Sequence, residues 1–121
     1  MQVPGKQIIY QGKSLTGKDI IVCSPQTKLH DKGYGWVDFT VVQYTLMNDF
    51  ISIIAIRMEG DRVYYFNFDD LKPFLTKEAM VFNVREGDHW KLYIWPDYIQ
   101  VLGNKAHFKS KYNSVEQLNL G

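Results

Sequence analysis

A single cysteine, Cys23, stands in a chain of 121 residues, so no internal disulfide can form. Within the apolar run Ile20-Ile21-Val22-Cys23 it reads as a small buried hydrophobe, not a reactive thiol. Long apolar runs are missing as well, since none approaches the ~20 residues that cross a bilayer. The N-terminus, Met1-Gln2-Val3-Pro4-Gly5-Lys6, lacks the basic-then-apolar profile of a secretory signal. Cytoplasmic residence without a membrane partner is the expectation. Charge of one sign is not in excess: 14 basic residues against 13 acidic ones leave a net +1, so electrostatic recognition must come from a local patch. There is no low-complexity tract and no linker. This length suits one core, and one β-rich domain over residues 1–121 is expected.

The motifs of catalysis are also wanting. Gly12-Lys13-Ser14 has the ending of a phosphate-binding loop, but the glycine such a loop requires upstream falls at Gln7. His30, His89 and His107 lie in different elements without paired spacing, and one cysteine offers no zinc quartet. Ser14, Ser24 and Ser110 have neither a glycine elbow nor a triad in view. Asp69-Asp70 are adjacent carboxylates that a helix start explains, and Asp97 after Trp95-Pro96 reads as a turn residue. The sequence therefore assigns no catalytic residue, metal or cofactor.

What is abundant is the aromatic ring: 3 Trp, 8 Tyr and 7 Phe. Rings and β-branched residues fit a pleated, half-buried surface, so a β-rich fold is expected. Two copies of Glu-Gly-Asp, at 59–61 and 86–88, sit between alternating apolar stretches and read as hairpin tips. Their resemblance, 27 residues apart, is confined to the turn, and shared turn chemistry accounts for it. Short strands are predicted at Gln7–Tyr10 and Ile20–Cys23, and a long loop at Ser24–Gly35. Trp36–Met47 reads as a strand that turns through Asn48-Asp49 into Phe50–Met58, a central strand apolar on both parities. Arg62–Phe68 returns from the first tip, and a short helix spans about Asp70 to Leu75, with Pro73 in its first turn. Ala79–Arg85 and His89–Trp95 form the second hairpin, and Tyr98–Leu102 a last strand. Ser114 and Gln117 have capping-box spacing in a basic tail that contains Lys105, Lys109 and Lys111. The fold class is mainly β (α+β): an antiparallel sheet or partly open barrel built from hairpins, with one or two short helices.

Register then sorts the side chains. A three-residue loop at 86–88 pairs Arg85 with His89 and Val84 with Trp90, which gathers Met80, Phe82, Val84, Trp90, Leu92 and Ile94 on one face. An outer face of Asn83, Arg85, His89, Lys91, Tyr93 and Trp95 follows, and there cations alternate with rings. The same rule in the first hairpin turns Ile54, Ile56, Met58, Tyr64 and Phe66 inward and Arg57, Val63, Tyr65 and Asn67 outward. Rings that stack on bases and cations that neutralise phosphate are what a nucleotide or single-stranded nucleic acid requires. The expected function is a small non-enzymatic binding module that uses Arg57, Asn83, Arg85, His89, Lys91, Tyr93 and Trp95 for such a ligand, helped by the tail lysines. Rings on sheets also serve as packing pairs or subunit contacts. The alternative is thus a protein-interaction or inhibitor module with the same face as its hot spot, and homo-oligomerisation through a sheet edge or face is expected.

Gly35-Trp36-Val37-Asp38-Phe39, with Ile53-Ile54-Ala55-Ile56-Arg57 and Val63-Tyr64-Tyr65-Phe66, loosely resembles the later strands of Holliday-junction resolvases of the restriction-endonuclease-like superfamily. The resemblance covers about a third of the chain, and it implies that Asp38 is a metal ligand. The pattern departs from that family in two places. Thr40-Val41-Val42 stands where an acidic-x-Lys partner belongs, and only Asn48-Asp49 separates the two strands where the family has a helix. Asp70-Leu71-Lys72 has the right letters at a predicted helix start. A degenerate, non-catalytic relative of such nucleases is what this resemblance implies.

Overall fold

The structure, a computed structural model, describes residues 9–27, 33–104, 107–110, 113–116 and 118–119. The opening ribbon is β1 (Ile9–Lys13) antiparallel to β2 (Asp19–Cys23); β1 continues through Gly12 and Lys13, past the strand predicted to end at Tyr10, and Gln7 and Ile8 lie outside the described residues. Pro25 and Gly33 belong to the expected loop, and β3 (Gly35–Thr40) follows it. The predicted strand to Met47 does not run on. At Thr40 the chain turns into α1 (Val41–Met47). Thr40 Oγ1 accepts the Gln43 N–H at 3.1 Å while Gln43 Oε1 accepts the Thr40 N–H at 2.8 Å. This reciprocal cap stabilises a helix start that outweighs the β preference of Val41 and Val42. Asn48-Asp49 is accordingly a helix exit and not a hairpin turn, with the Asn48 N–H donating to Tyr44 O.

The next strand, β4 (Ile51–Met58), pairs with β2 in parallel and with β5 (Arg62–Asn67) antiparallel, which makes a four-stranded sheet in the order β1-β2-β4-β5. The parallel pair departs from an all-antiparallel expectation. It is possible because β3 and α1 lie between β2 and β4 in sequence and supply a crossover. As predicted, β4 is covered on both faces, with Ile53, Ile54, Ala55 and Ile56 all buried. Its hairpin turns at Glu59-Gly60-Asp61, where Gly60 and Asp61 take φ of 71° and 59°. Ile54, Ile56, Met58, Tyr64 and Phe66 face inward as the register rule requires.

A single helical turn, α2 (Phe68–Leu71), and a 3-10 turn at Lys72–Phe74 replace the predicted helix over 70–75. Asp69 and Asp70 sit in the first turn of α2, while Asn67 occupies the capping position without a side-chain cap bond.

The second sheet is centred on β7 (Gly87–Trp95). One edge of β7 pairs with β3, and the other with β6 (Val81–Asn83) and then β8 (Tyr98–Val101), beyond which lies β9 (His107–Lys109). Sequence reasoning did not anticipate β9. At the predicted terminal helical turn the described residues form one hydrogen-bonded turn, in which the Leu118 N–H donates to Val115 O, and Gln117 lies outside the described residues.

The second hairpin corrects the predicted tip. Val81 opposes His89 and Asn83 opposes Gly87, so the loop is Val84-Arg85-Glu86 and Gly87 opens β7. Asn83 Oδ1 accepts the Glu86 N–H at 2.6 Å, and Gly87 takes the left-handed φ of 69° that ends the turn. His89 therefore meets Val81 and not Arg85, a displacement of four residues. Four is even, so Trp90, Leu92 and Ile94 still face the core. Phe82 and Val84 are carried to the tip instead and stand 69% and 95% exposed.

Both sheets give one face to a single core that includes Ile21, Ile54, Phe66, Leu92 and Ile99, closed at one end by Met47, Phe68 and Leu71. The sheets do not join into a closed barrel. Among the described residues no helix is long and apolar enough to cross a membrane.

Candidate functional site

The outer face of the second sheet collects most of the predicted residues. In β7, side chains at odd positions point away from the core, and pairing sets Trp36 opposite Tyr93, Asp38 opposite Lys91, Tyr93 opposite Gln100 and Trp95 opposite Tyr98. Tyr34, from the loop before β3, lies against two of these rings, with centroids 4.7 Å from Tyr93 and 5.0 Å from Trp95. Trp95 and Tyr98 stack at 5.9 Å. Lys91 Nζ is 5.1 Å from the Trp36 ring centroid, within the range of a cation–π contact. At the far end of the row, Lys109 of β9 opposes Tyr98 and is exposed.

The face is therefore a band of rings with a lysine at each end of the ring row. Tyr93, Lys91 and Trp95 are half-buried and Trp36 is 40% exposed. The Trp95 indole N–H donates to Gln100 Oε1 at 3.1 Å, which fixes its plane.

Four predicted residues stand elsewhere. Arg85 is at the hairpin tip, its guanidinium Nε 3.3 Å from Glu86 Oε1, and Asn83 is committed to closing that turn. Arg57 belongs to the other sheet, where its guanidinium donates to Ser24 O at 2.9 Å. It lines a depression of about 430 Å³ with Tyr10, Val22, Ala55, Val63 and Tyr65, on the side opposite the aromatic band. His89 has the predicted orientation but is only 1% exposed, because Thr40 and Val81 flank it on the neighbouring strands. It is not part of an open surface.

Tyr34, Trp36, Tyr98 and Gln100 complete the face and were not predicted. The shared parity of Tyr98 and Gln100 was a usable signal, whereas Trp36 needed knowledge that β3 pairs with β7. Lys105 and Lys111 lie outside the described residues, as does His30.

Asp38, the metal ligand implied by the nuclease resemblance, is on this face with its Oδ1 3.8 Å from His89 Nε2. A helix does follow its strand, contrary to the reading of Asn48-Asp49 as the only separator, but β3 and β4 lie in different sheets. Among the described residues no three His, Cys, Asp or Glu side chains come together as metal ligands. A second depression of about 460 Å³, lined in part by Asn48, Asp49, Ser52, Asp69 and Asp70, lies away from the aromatic band. Ser52, which is buried there, donates to Met47 O at 2.7 Å.

These features define a two-sheet α+β module with an aromatic and cationic outer face. No protein-family model, curated protein or solved structure matches the chain.

Proposed function

We propose that this protein is a small non-enzymatic binding module that takes a nucleotide or single-stranded nucleic acid on the outer face of its second sheet. The observation that supports this most is the cluster of rings Tyr93, Tyr34, Trp95 and Tyr98, with Trp36 opposite Tyr93 on β3, Lys91 over Trp36 and Lys109 opposite Tyr98. Rings in a row accept successive bases, and cations beside them take the phosphates. Lys91 and Tyr93 are the residues on which binding depends most in this reading.

Fluorescence anisotropy with a labelled oligothymidylate tests it. Trp36→Ala is expected to weaken binding about tenfold, since stacking contributes ~1–3 kcal/mol per base, and Lys91→Ala to make the salt response shallower by removing a phosphate contact. Affinity should also fall steeply between low and moderate salt as counterions compete for the phosphates. A large loss of melting temperature in Lys91→Ala, with oligonucleotide binding unchanged, would mean that this side chain only packs.

A second reading, a protein-interaction or inhibitor module, is favoured by the exposure of Phe82 and Val84 at the β6–β7 tip beside Arg85. Contiguous exposed apolar side chains mark contact surfaces. A shallow salt response, with binding lost in Phe82→Ser, would select this reading. Association of the chain with itself, read by sedimentation, would make the partner a second copy.

A further inference from the structure

The outer face of the first sheet carries a concavity that the aromatic band does not use. In β4, Ile54, Ile56 and Met58 belong to the core, so Ala55 and Arg57 turn to the opposite face. Register brings Tyr10 of β1 opposite Val22 of β2, Tyr65 of β5 opposite Ala55, and Val63 of β5 opposite Arg57. Because the strand order is β1-β2-β4-β5, the two tyrosines stand on the two edge strands and the short side chains of Val22 and Ala55 on the inner ones. Tall edges around a low centre make a trough of about 430 Å³. Ala55, at its floor, is 6% exposed although it faces away from the core.

Arg57, at one end of the trough, is the only charged side chain that lines it among the described residues. Its Nη2 donates to Ser24 O at 2.9 Å, and its backbone is tied as well, with the Arg57 N–H donating to Pro25 O and the Thr27 N–H to Arg57 O. The side chain is nonetheless exposed, and none of the ion pairs among the described residues engages it. A guanidinium presents its N–H groups in a planar fork, so one bond to a carbonyl leaves donors for an incoming anion.

We propose that this trough binds a small aromatic carboxylic acid, with its flat body over Val22 and Ala55 between the two tyrosines and its carboxylate on Arg57. Each part of the ligand follows from a part of the site. Guanidinium and carboxylate match in shape and form paired, charge-assisted bonds. A single cation balances a single negative charge; a phosphate dianion calls for a second cation or a helix N-terminus, and among the described residues neither lines the trough. The side chains of Val22 and Ala55 offer no donors to the edges of a base or a sugar, which sets this ligand apart from the nucleotide of the opposite face. The rings of Tyr10 and Tyr65 favour an aromatic body over an aliphatic one of the same size. The volume falls within the range of about 300–1,000 Å³ common to small-molecule sites.

Indole-3-acetate, a flat ring with one carboxylate, is the probe, and indole-3-acetamide, the same shape without the charge, is its control. In nitrogen-15 correlation spectra of the full chain, indole-3-acetate is expected to shift the backbone N–H signals of Val22, Ala55, Arg57 and Val63 in a saturable way and to leave those of Tyr93 and Trp95 in place. Indole-3-acetamide should bind about tenfold more weakly, the loss expected when a charged hydrogen-bond partner is removed. Arg57→Gln should lower the affinity for indole-3-acetate by a similar factor and leave the weak binding of indole-3-acetamide nearly unchanged. That second readout separates a lost carboxylate contact from a general loosening of β4.

Arg57 also ties β4 to Ser24, so Ala55→Leu supplies a variant that leaves the guanidinium in place. A longer side chain on the floor should fill the trough and abolish the shifts while the circular dichroism spectrum stays that of the wild type. Equal affinity of the wild type for indole-3-acetate and indole-3-acetamide, no saturable shift at the trough residues, shifts confined to β7, or undiminished binding in Ala55→Leu would overturn the proposal. No oligonucleotide enters these measurements, and neither variant lies on the aromatic band. This site can therefore fail while the nucleotide reading stands, or the reverse.

Discussion

Cys23 shows how one side chain reports its surroundings. It faces the core from β2 at 1% exposure, and burial, which penalises the thiolate, pushes its pKa from 9.0 up to about 12. The native thiol should therefore resist disulfide reagents at neutral pH and react fully once the chain is unfolded in urea, as a colorimetric thiol assay will show. The same shift has a consequence in alkali. Between pH 9.0 and about 12 the unfolded chain ionises this thiol and the folded chain does not, so stability falls as pH climbs through that interval. Cys23→Ala should lack that part of the slope in a pH series of urea titrations.

The parity of apolar residues was enough to place many such side chains. Trp90, Leu92 and Ile94 turn inward because alternation leaves them no other buried face. The burial of His89 was not legible in this way. It depends on β3, about fifty residues earlier in the chain, pairing with one edge of β7, and on the hairpin register that sets Val81 beside His89 on the other.

Short polar contacts decided two elements against propensity. Val41-Val42 has β character, yet the reciprocal bonds of Thr40 and Gln43 start a helix there. Thr40→Ala should cost about 0.5–2 kcal/mol in urea unfolding, because it strips one half of that cap. At the second hairpin Asn83 and Gly87 outrank the Glu-Gly-Asp tripeptide. A Cβ on Gly87 would touch nothing within 4 Å, so Gly87→Ala isolates the backbone strain of a left-handed residue. A loss of about 1–2 kcal/mol is expected, without any change in the core. Both signals were present in the sequence, Thr-x-x-Gln before Tyr44 and Asn four residues ahead of Gly87, but each competes with a longer-range apolar pattern.

For the molecule as a whole, sheet edges are the exposed liability. Asn113 covers part of the β5 edge: its N–H donates to Val63 O at 2.7 Å and its side-chain oxygen accepts the Val63 N–H at 3.0 Å. Farther along, Asn67 and Asn119 exchange a pair of bonds at 2.8 and 2.7 Å. Removing residues 111–121 would bare the backbone groups of Val63 and the buried amide of Asn67. Such a truncation should associate with itself in a concentration-dependent way, as sedimentation velocity would detect, because an unpaired strand edge templates further pairing. Persistence of a single species equal in size to the full chain would show that the tail does not protect this edge.

Local pattern alone determined the β-rich class, the strands β2, β4, β5, β7 and β8, the first hairpin with its register, and which parity of β4, β5 and β7 faces inward. These are consequences of nearest-neighbour alternation and of turn residues, and alternation is written along the chain. Tertiary structure decided that β2 and β4 run parallel, that the strands divide between two sheets, and that Arg57 ends on the opposite side from Lys91. It also brought Tyr34, Trp36 and Tyr98 beside Tyr93, and Asp38 beside His89. Those outcomes depend on pairings between segments tens of residues apart, where many strand orders satisfy the same alternation and only mutual burial of whole faces selects one.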